Sequence, residues 1–218
     1  MTIPTCHPSR RFARDRRRTL RLLAGAGLLS IAPAGAQPVA LIPTPSQPEG
    51  PFYPKTLPAD RDSDLTQIVG RASRARGTPL YLSGRTLARD RRPLEHATVE
   101  LWQCDVHGRY HHAGDDGLPR DDNFQGYGAA TTDAEGRYAF KTIRPVPYGG
   151  RPPHLHLRVR AGGSVLTTQI YIAGDALDSD GIVSAAPSGT IQRLTMALAP
   201  VTGREPGALG GTFDLVLR

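Results

Sequence analysis

Two cysteines in 218 residues exclude a disulfide framework and a thiolate metal cluster. Cys6 lies in a segment read below as a leader, which leaves Cys104 without a partner in the mature chain. Long apolar runs are missing as well: the stretch from Leu20 to Ile31 is too short to span a bilayer as a mature helix. No apolar helical periodicity lasts more than a few turns, and no repeat is visible. There is no HExxH helix and no spaced calcium loop. The acidic groups Asp115-Asp116, Asp121-Asp122 and Asp178-Ser179-Asp180 read as solvated turns.

A basic surface for nucleic acid is also lacking, although the net charge is +7. Seven arginines and Asp15 in residues 1–36 account for +6 of it, so about +1 is left for the rest. The concentrated charge belongs to a different pattern. Residues 1–36 combine a basic start, a short apolar stretch and the small-residue site Ala34-Gly35-Ala36, which reads as a cleaved export signal. Arg17-Arg18 followed by Thr19-Leu20 resembles a twin-arginine signal, with the general secretory route as the alternative. A periplasmic or secreted protein without a stable membrane anchor is the expectation.

What is abundant is turn chemistry: 24 Gly and 20 Pro. Six of the prolines fall in "QPVALIPTPSQPEGPFYPKTL", so residues 37–78 are expected to form an extended arm and connection lying on the surface of the domain. From residue 79 to 218 the signals are those of strands: "LYLSGRTL", "ATVELWQCD", "SVLTTQIYIAG" and "GTFDLVLR". "GAATTD" and "GRYAFKTI" flank turn chemistry at residues 133–136 and suggest a hairpin. A short helix is expected near "DLTQIVG" or "GTIQRLTMAL". The sum is an all-β, antiparallel β-sandwich of prealbumin-like type, with Trp102, Phe140 and Leu101 in its core.

The stretch "RPPHLHLRVRA" carries two of the chain's seven histidines. On a strand, His154 and His156 share one face, while Leu155, Leu157 and Val159 share the other. The leucine face goes into the core, and the histidine face is free to hold a metal. Two histidines alone do not decide this, since such a pair is more often exposed or satisfied locally. Tyr148, in a Pro- and Gly-rich connection six residues earlier, and Tyr110, at the end of "LWQCDVHGRY", are the further candidates.

Taken in order, "TPSQPEGPFYP", "VELWQCDVHGRY", "NFQGYG", "TTDAEGRYAFKTIRPVPY", "RPPHLHLRV" and "QIYIAGD" resemble the intradiol ring-cleavage dioxygenases, the family of the protocatechuate and catechol dioxygenases. The resemblance covers most of residues 43–175. It implies one non-heme Fe(III) per chain, held by Tyr110, Tyr148, His154 and His156. It also implies a catecholic substrate, cleaved by O₂ between the hydroxylated carbons to a cis,cis-muconate-type diacid. Phenolates are hard anionic donors, and a bound ferric ion lowers the phenol pKa from about 10. Two phenolates and two neutral imidazoles leave such an ion with a formal residual charge that favours capture of a catecholate.

By the same resemblance Tyr148 is the ligand displaced by substrate, Arg151 stabilises negative charge on the ring, and Gln169 stands beside Arg151. His107, His111 and His112 match no ligand position and read as surface or supporting residues. The chain also departs from the family pattern. "GGRPP" between Tyr148 and His154 is shorter than in protocatechuate enzymes, which leaves the particular catechol open. No helical region precedes the strands, so a homo-oligomer built through such helices is not expected, though another assembly stays open. A cupin-like oxygenase would need a histidine after His156, and there is none. A non-catalytic prealbumin-like module binding a metal or carbohydrate is the alternative from a different class.

Overall fold

The computed structural model describes residues 39–115, 119–177 and 180–218. The expected leader over residues 1–36 lies outside them, as do Asp116, Asp178 and Ser179. The described residues form strands β1 (Pro79–Ala88), β2 (Thr98–Trp102), β3 (Tyr127–Thr131), β4 (Arg137–Ile143), β5 (His154–Ala161) and β6 (Ser164–Ile172). Two single-turn helices follow, α1 (Gly181–Ser184) and α2 (Thr190–Arg193), and then β7 (Thr195–Met196), β8 (Ala199–Pro200), β9 (Leu209–Thr212) and β10 (Leu215–Leu217).

The strands make two five-stranded sheets. In one, β1 pairs with β4, β9 and β10, and β8 pairs with β9; in the other the order is β3-β2-β5-β6-β7. The all-β expectation holds, but the sheets are mixed. β9 and β10 run parallel to β1, and β7 runs parallel to β6. Alternating polarity in a segment marks a strand and its buried face, whereas its direction relative to a partner is set by where long connections return the chain. The link between β9 and β10 also approaches β1 closely: a Cβ on Gly84 would sit 1.9 Å from the Phe213 carbonyl oxygen, so only glycine fits there.

The turn expected at residues 133–136 is present, with the Gly136 N–H donating to the Asp133 carbonyl at 2.9 Å. It does not close a hairpin ladder, because β3 pairs with β2 and β4 pairs with β1. The chain changes sheet at this turn, as sandwich connections do. Of the two segments considered for a helix, "GTIQRLTMAL" holds α2, while residues 64–70 form turns.

The core lies between the sheets, where Leu80, Leu82 and Phe140 of one meet Val99, Leu101, Leu155, Leu157, Val159 and Ile170 of the other. Each such side chain contributes about 1.5–3 kcal/mol by leaving water. Trp102 is not among them. It belongs to a second apolar cluster with Cys104, Tyr110 and Tyr127, against which Phe52, Tyr53, Val146 and Tyr148 pack. This cluster lies on the opposite face of β2 and β5 from the leucines, because side chains alternate along a strand.

The arm, residues 39–57, has no strand or helix, yet it is fastened along its length. Leu41 N–H donates to the Arg89 carbonyl, Thr44 N–H to that of Val216 and Gln47 N–H to that of Thr167, at 2.7, 3.0 and 3.0 Å. Its later part crosses the second cluster, where Glu49 pairs with Arg158 and the Arg158 guanidinium lies 4.0 Å from the Tyr53 ring centroid. The expected surface arm is therefore a cover for one face of the second sheet.

Candidate active site

Register places the histidines. β5 pairs Trp102 of β2 with His156, and His156 with Gln169 of β6, in one row across three strands; His154 faces Tyr171 in the neighbouring row. Both histidines are buried, 1% and 2% exposed, so the face opposite the leucines is itself covered. His154 Nδ1 lies 2.7 Å from the Pro152 carbonyl oxygen, which only accepts. Nδ1 therefore carries the hydrogen, and the lone pair of Nε2 points into the cluster.

Tyr148 arrives through a tight reverse turn. The Arg151 N–H donates to the Tyr148 carbonyl at 2.7 Å and the Tyr148 N–H to the Arg151 carbonyl at 3.2 Å. The two residues between them, Gly149 and Gly150, have φ of 54° and 78°. Such a two-residue turn needs the left-handed region twice, which is why the sequence reads Tyr-Gly-Gly-Arg, and it sets Tyr148 and Arg151 side by side. Tyr110 comes from a loop held by carboxylates: its N–H donates to Asp115 Oδ2 at 2.7 Å, and Arg109 N–H donates to Asp105 Oδ1 at 3.1 Å.

Four donor atoms converge as a result. Tyr110 Oη is 3.0 Å from His156 Nε2, which is 3.2 Å from His154 Nε2, which is 3.3 Å from Tyr148 Oη. Aromatic rings back two of them. Phe52 stacks on Tyr110 at 4.7 Å between centroids, and Trp102 stacks on His156 at 4.9 Å. Trp102 thus supports the site rather than the inter-sheet core to which sequence reasoning sent it, because its partner is fixed by cross-strand register.

Arg151 and Gln169 sit at the same place. Arg151 Nη1 donates to His154 Nε2 at 3.0 Å, and Nη2 donates to Gln169 Oε1 at 2.9 Å. Gln169, buried in the sheet, donates from Nε2 to the Pro48 carbonyl of the arm at 2.7 Å. Sequence reasoning missed Asp180, which it read as part of a solvated acidic turn. It is 3% exposed, and its Oδ2 accepts from Arg151 Nε and Nη2 at 2.8 and 2.7 Å. A single Asp-Gly before an apolar pair does signal a helix cap, but nothing local signals an ion pair across the fold. Asp121 is likewise buried, accepting from the Arg76 N–H at 2.7 Å, so it too departs from the solvated-turn reading.

Three other histidines lie to the side. His107 Nε2 is 2.7 Å from Arg76 Nη2, His111 Nε2 is 3.7 Å from Asp105 Oδ2, and His112 meets Phe52 edge-on. A cavity of about 700 Å³ is bordered by Phe52, Phe124, Tyr127 and Tyr110, and Tyr110 alone of the four donors reaches it. It lies beside the cluster rather than on it.

Burial governs the charges. It raises both phenols, Tyr110 well above the usual value and with a further push from Tyr148. It lowers His154 to about 4, with help from the Arg151 cation, and it holds His156 well below the ordinary range, with help from His154. The imidazoles are therefore neutral, the form that ligates metals. The phenols ionise only beside a cation, which reverses the effect of burial. Among the described residues no three His, Cys, Asp or Glu side chains gather as a metal site, because half of this donor set is phenolic. Two imidazole nitrogens and two phenol oxygens, each within 3.3 Å of the next, fit a hard, trivalent transition-metal ion.

The fold and this site define a two-sheet β protein with a buried cluster of His and Tyr donors. The comparisons carry the assignment to a family. A family model described as Dioxygenase matches residues 48–151. The protocatechuate 3,4-dioxygenase beta chain of Burkholderia cepacia is 39% identical over 168 residues, 72% of this chain and 72% of that one. Catechol 1,2-dioxygenase 1 of Acinetobacter lwoffii is 32% identical over 191 residues, and the match spans 78% of this chain but 58% of the relative. Among solved structures, the dioxygenase domain of a dioxygenase carbohydrate-binding fusion from Streptomyces sp. SirexAA-E superposes with a TM-score of 0.63 at 31% identity, covering 81% of this chain and 98% of that domain. Catechol 1,2-dioxygenase from Acinetobacter sp. ADP1 gives 0.61 at 28% identity, covering 80% and 62%. The chain belongs to the intradiol ring-cleavage dioxygenase family.

Proposed function

We propose that the chain cleaves a catechol between its two hydroxylated carbons with O₂, at a ferric ion held by Tyr110, Tyr148, His154 and His156, and releases a cis,cis-muconate-type diacid. The observation that carries this is the convergence of two phenols and two neutral imidazoles, each donor 3.0–3.3 Å from the next, in a chain of this family. When bound, ferric iron would supply Lewis acidity that favours ionised Tyr110 and Tyr148 phenols and binding of a catechol through both oxygens, which would make the ring reactive toward O₂.

The chain's own groups divide the remaining work. Tyr148, partly exposed beside Gly149 and Gly150, is the donor free to swing out and take a catechol proton on Oη, while Tyr110, 2% exposed under Phe52, stays in place. Arg151 presents Nη1 to negative charge on the bound ring, where a fixed cation in a dry site is worth most. Gln169 holds Arg151 on one side and the arm on the other, so the arm keeps water from the face of the cluster. The basic and apolar residues 1–36 are proposed to direct export before this chemistry begins, and chains are free to assemble by surfaces other than N-terminal helices.

The test is O₂ uptake by iron-loaded protein with a panel of catechols under ¹⁸O₂, followed by mass spectrometry of the product. Both labelled atoms in one muconate-type diacid support the reading. Absence of uptake across the panel, or a ring opened beside rather than between the hydroxylated carbons, overturns it.

A further inference from the structure

Asp180 is a buried acid close to the donor cluster for which the reaction above has no use. Its two oxygens do different things. Oδ1 accepts the backbone N–H groups of Ile182 and Val183 at 2.7 and 3.4 Å and so caps α1. Oδ2 accepts from Nε and Nη2 of Arg151 at 2.8 and 2.7 Å. The carboxylate is thus tied to the backbone by one oxygen and to a guanidinium by the other.

That grip determines where the rest of Arg151 points. A guanidinium is planar, so holding Nε and Nη2 at one point fixes the plane and the direction of Nη1. Nη2 is also shared with Gln169 Oε1 at 2.9 Å, which resists rotation about the same edge. Nη1 is then left 3.0 Å from His154 Nε2, at the donor cluster.

We propose that Asp180 is a positioning residue: it holds Arg151 so that Nη1 faces the bound catechol, and it acts on the reaction through Arg151 alone. The proposal rests on the ring-cleavage reading of the site. It predicts that Asp180 matters for turnover more than for catechol capture, since capture belongs to the metal and its four donors. Misplacing a catalytic group by about 1 Å is enough to cost on the order of 10²-fold in rate.

The experiment compares iron-loaded wild type, Asp180→Asn, Arg151→Ala and the double variant Arg151→Ala/Asp180→Asn in three measurements. These are kcat and KM by O₂ uptake, the anaerobic catechol titration of the visible band, and the thermal midpoint. Asparagine keeps the shape and the helix cap but loses the charge that grips Arg151. The expected result is a kcat about 10-fold or more below wild type, with catechol affinity from the titration within about three-fold. In the Arg151→Ala background, adding Asp180→Asn is expected to change kcat by less than about two-fold.

A kcat unchanged by Asp180→Asn, or a loss of the same factor with and without Arg151, overturns the proposal, because a merely structural residue would lower both backgrounds alike. If Asp180→Asn fails to fold, Asp180→Glu takes its place. It keeps the charge but shifts the grip by one methylene, so a kcat lowered with an unchanged band when Arg151 is present, and not lowered further in the Arg151→Ala background, supports the proposal, while a wild-type kcat or a loss of the same factor in both backgrounds overturns it. Wild type that shows neither band nor O₂ uptake is a failure of the ring-cleavage reading and removes the role of Asp180 with it. Wild-type turnover with unaffected variants is a failure of this proposal alone.

Discussion

Phe52 lies over the face of Tyr110, ring centroids 4.7 Å apart and planes 18° from parallel, and meets Tyr148 edge-on at 6.2 Å. One side chain of the proline-rich arm therefore touches both phenols, so the arm and the site are mechanically one unit. Phe52→Ala removes the stack and part of the cover. Because Phe52 is only partly buried, the expected loss is about 1–3 kcal/mol, below that of a full core truncation. A lower thermal midpoint together with faster iron release to a chelator is the expected outcome, and calorimetry with a chelator competition checks it.

Arg158 fastens the arm from the sheet side. Its guanidinium lies 4.0 Å from the Tyr53 ring centroid and 5.8 Å from that of Trp102, and it pairs with Glu49. Arg158→Ala is expected to cost about 0.5–2 kcal/mol and to speed proteolytic cleavage within residues 39–57 several-fold. Arg158→Lys restores little, since an ammonium cannot stack and pair at once as the planar guanidinium does. Limited proteolysis followed by mass spectrometry locates the cut.

The four donors and Arg151 are expected to separate by phenotype. Tyr110→Phe and His156→Ala weaken iron retention by more than about ten-fold, while Arg151→Ala keeps the visible colour and slows turnover by about 10²-fold. Iron content after dialysis against a chelator, read beside kcat for each variant, distinguishes the two groups.

Far from the site, Glu205 gives a pH prediction. Lys141 and the Tyr81 hydroxyl, which donates at 2.6 Å, hold its carboxyl down to about 2 from an ordinary 4.5. A depressed carboxylate contributes its stability above about 4.5 and loses it as pH falls toward about 2. The group is 38% exposed, so solvent screening limits the effect to about 0.2–1 kcal/mol. The stability difference between wild type and Glu205→Gln is expected to be constant at neutral pH, to shrink below about pH 4.5 and to be lost as the pH falls through about 2, as urea unfolding at several pH values would show.

Parts of this arrangement are written locally in the sequence and parts are not. Alternation along "HLHLRV" sends His154 and His156 to one face and Leu155, Leu157 and Val159 to the other, because strand geometry has a fixed period. The paired glycines after Tyr148 likewise announce a tight turn. Tyr110 has no such local signature, and only the resemblance to a family singled it out. Three further features depend on long-range register and were not legible: Trp102 against His156, Asp180 against Arg151, and the parallel run of β9 and β10 beside β1. Each joins segments whose meeting is decided by the whole fold.

The central claim is that Tyr110, Tyr148, His154 and His156 would hold a ferric ion that a catechol binds through both oxygens. Its most direct test is the visible absorption spectrum of iron-loaded protein, recorded anaerobically before and after a simple catechol is added. The account predicts a broad tyrosinate-to-iron band that moves to longer wavelength on addition. A protein that contains iron yet shows no such band would contradict it, since the two phenols could not then be ligands.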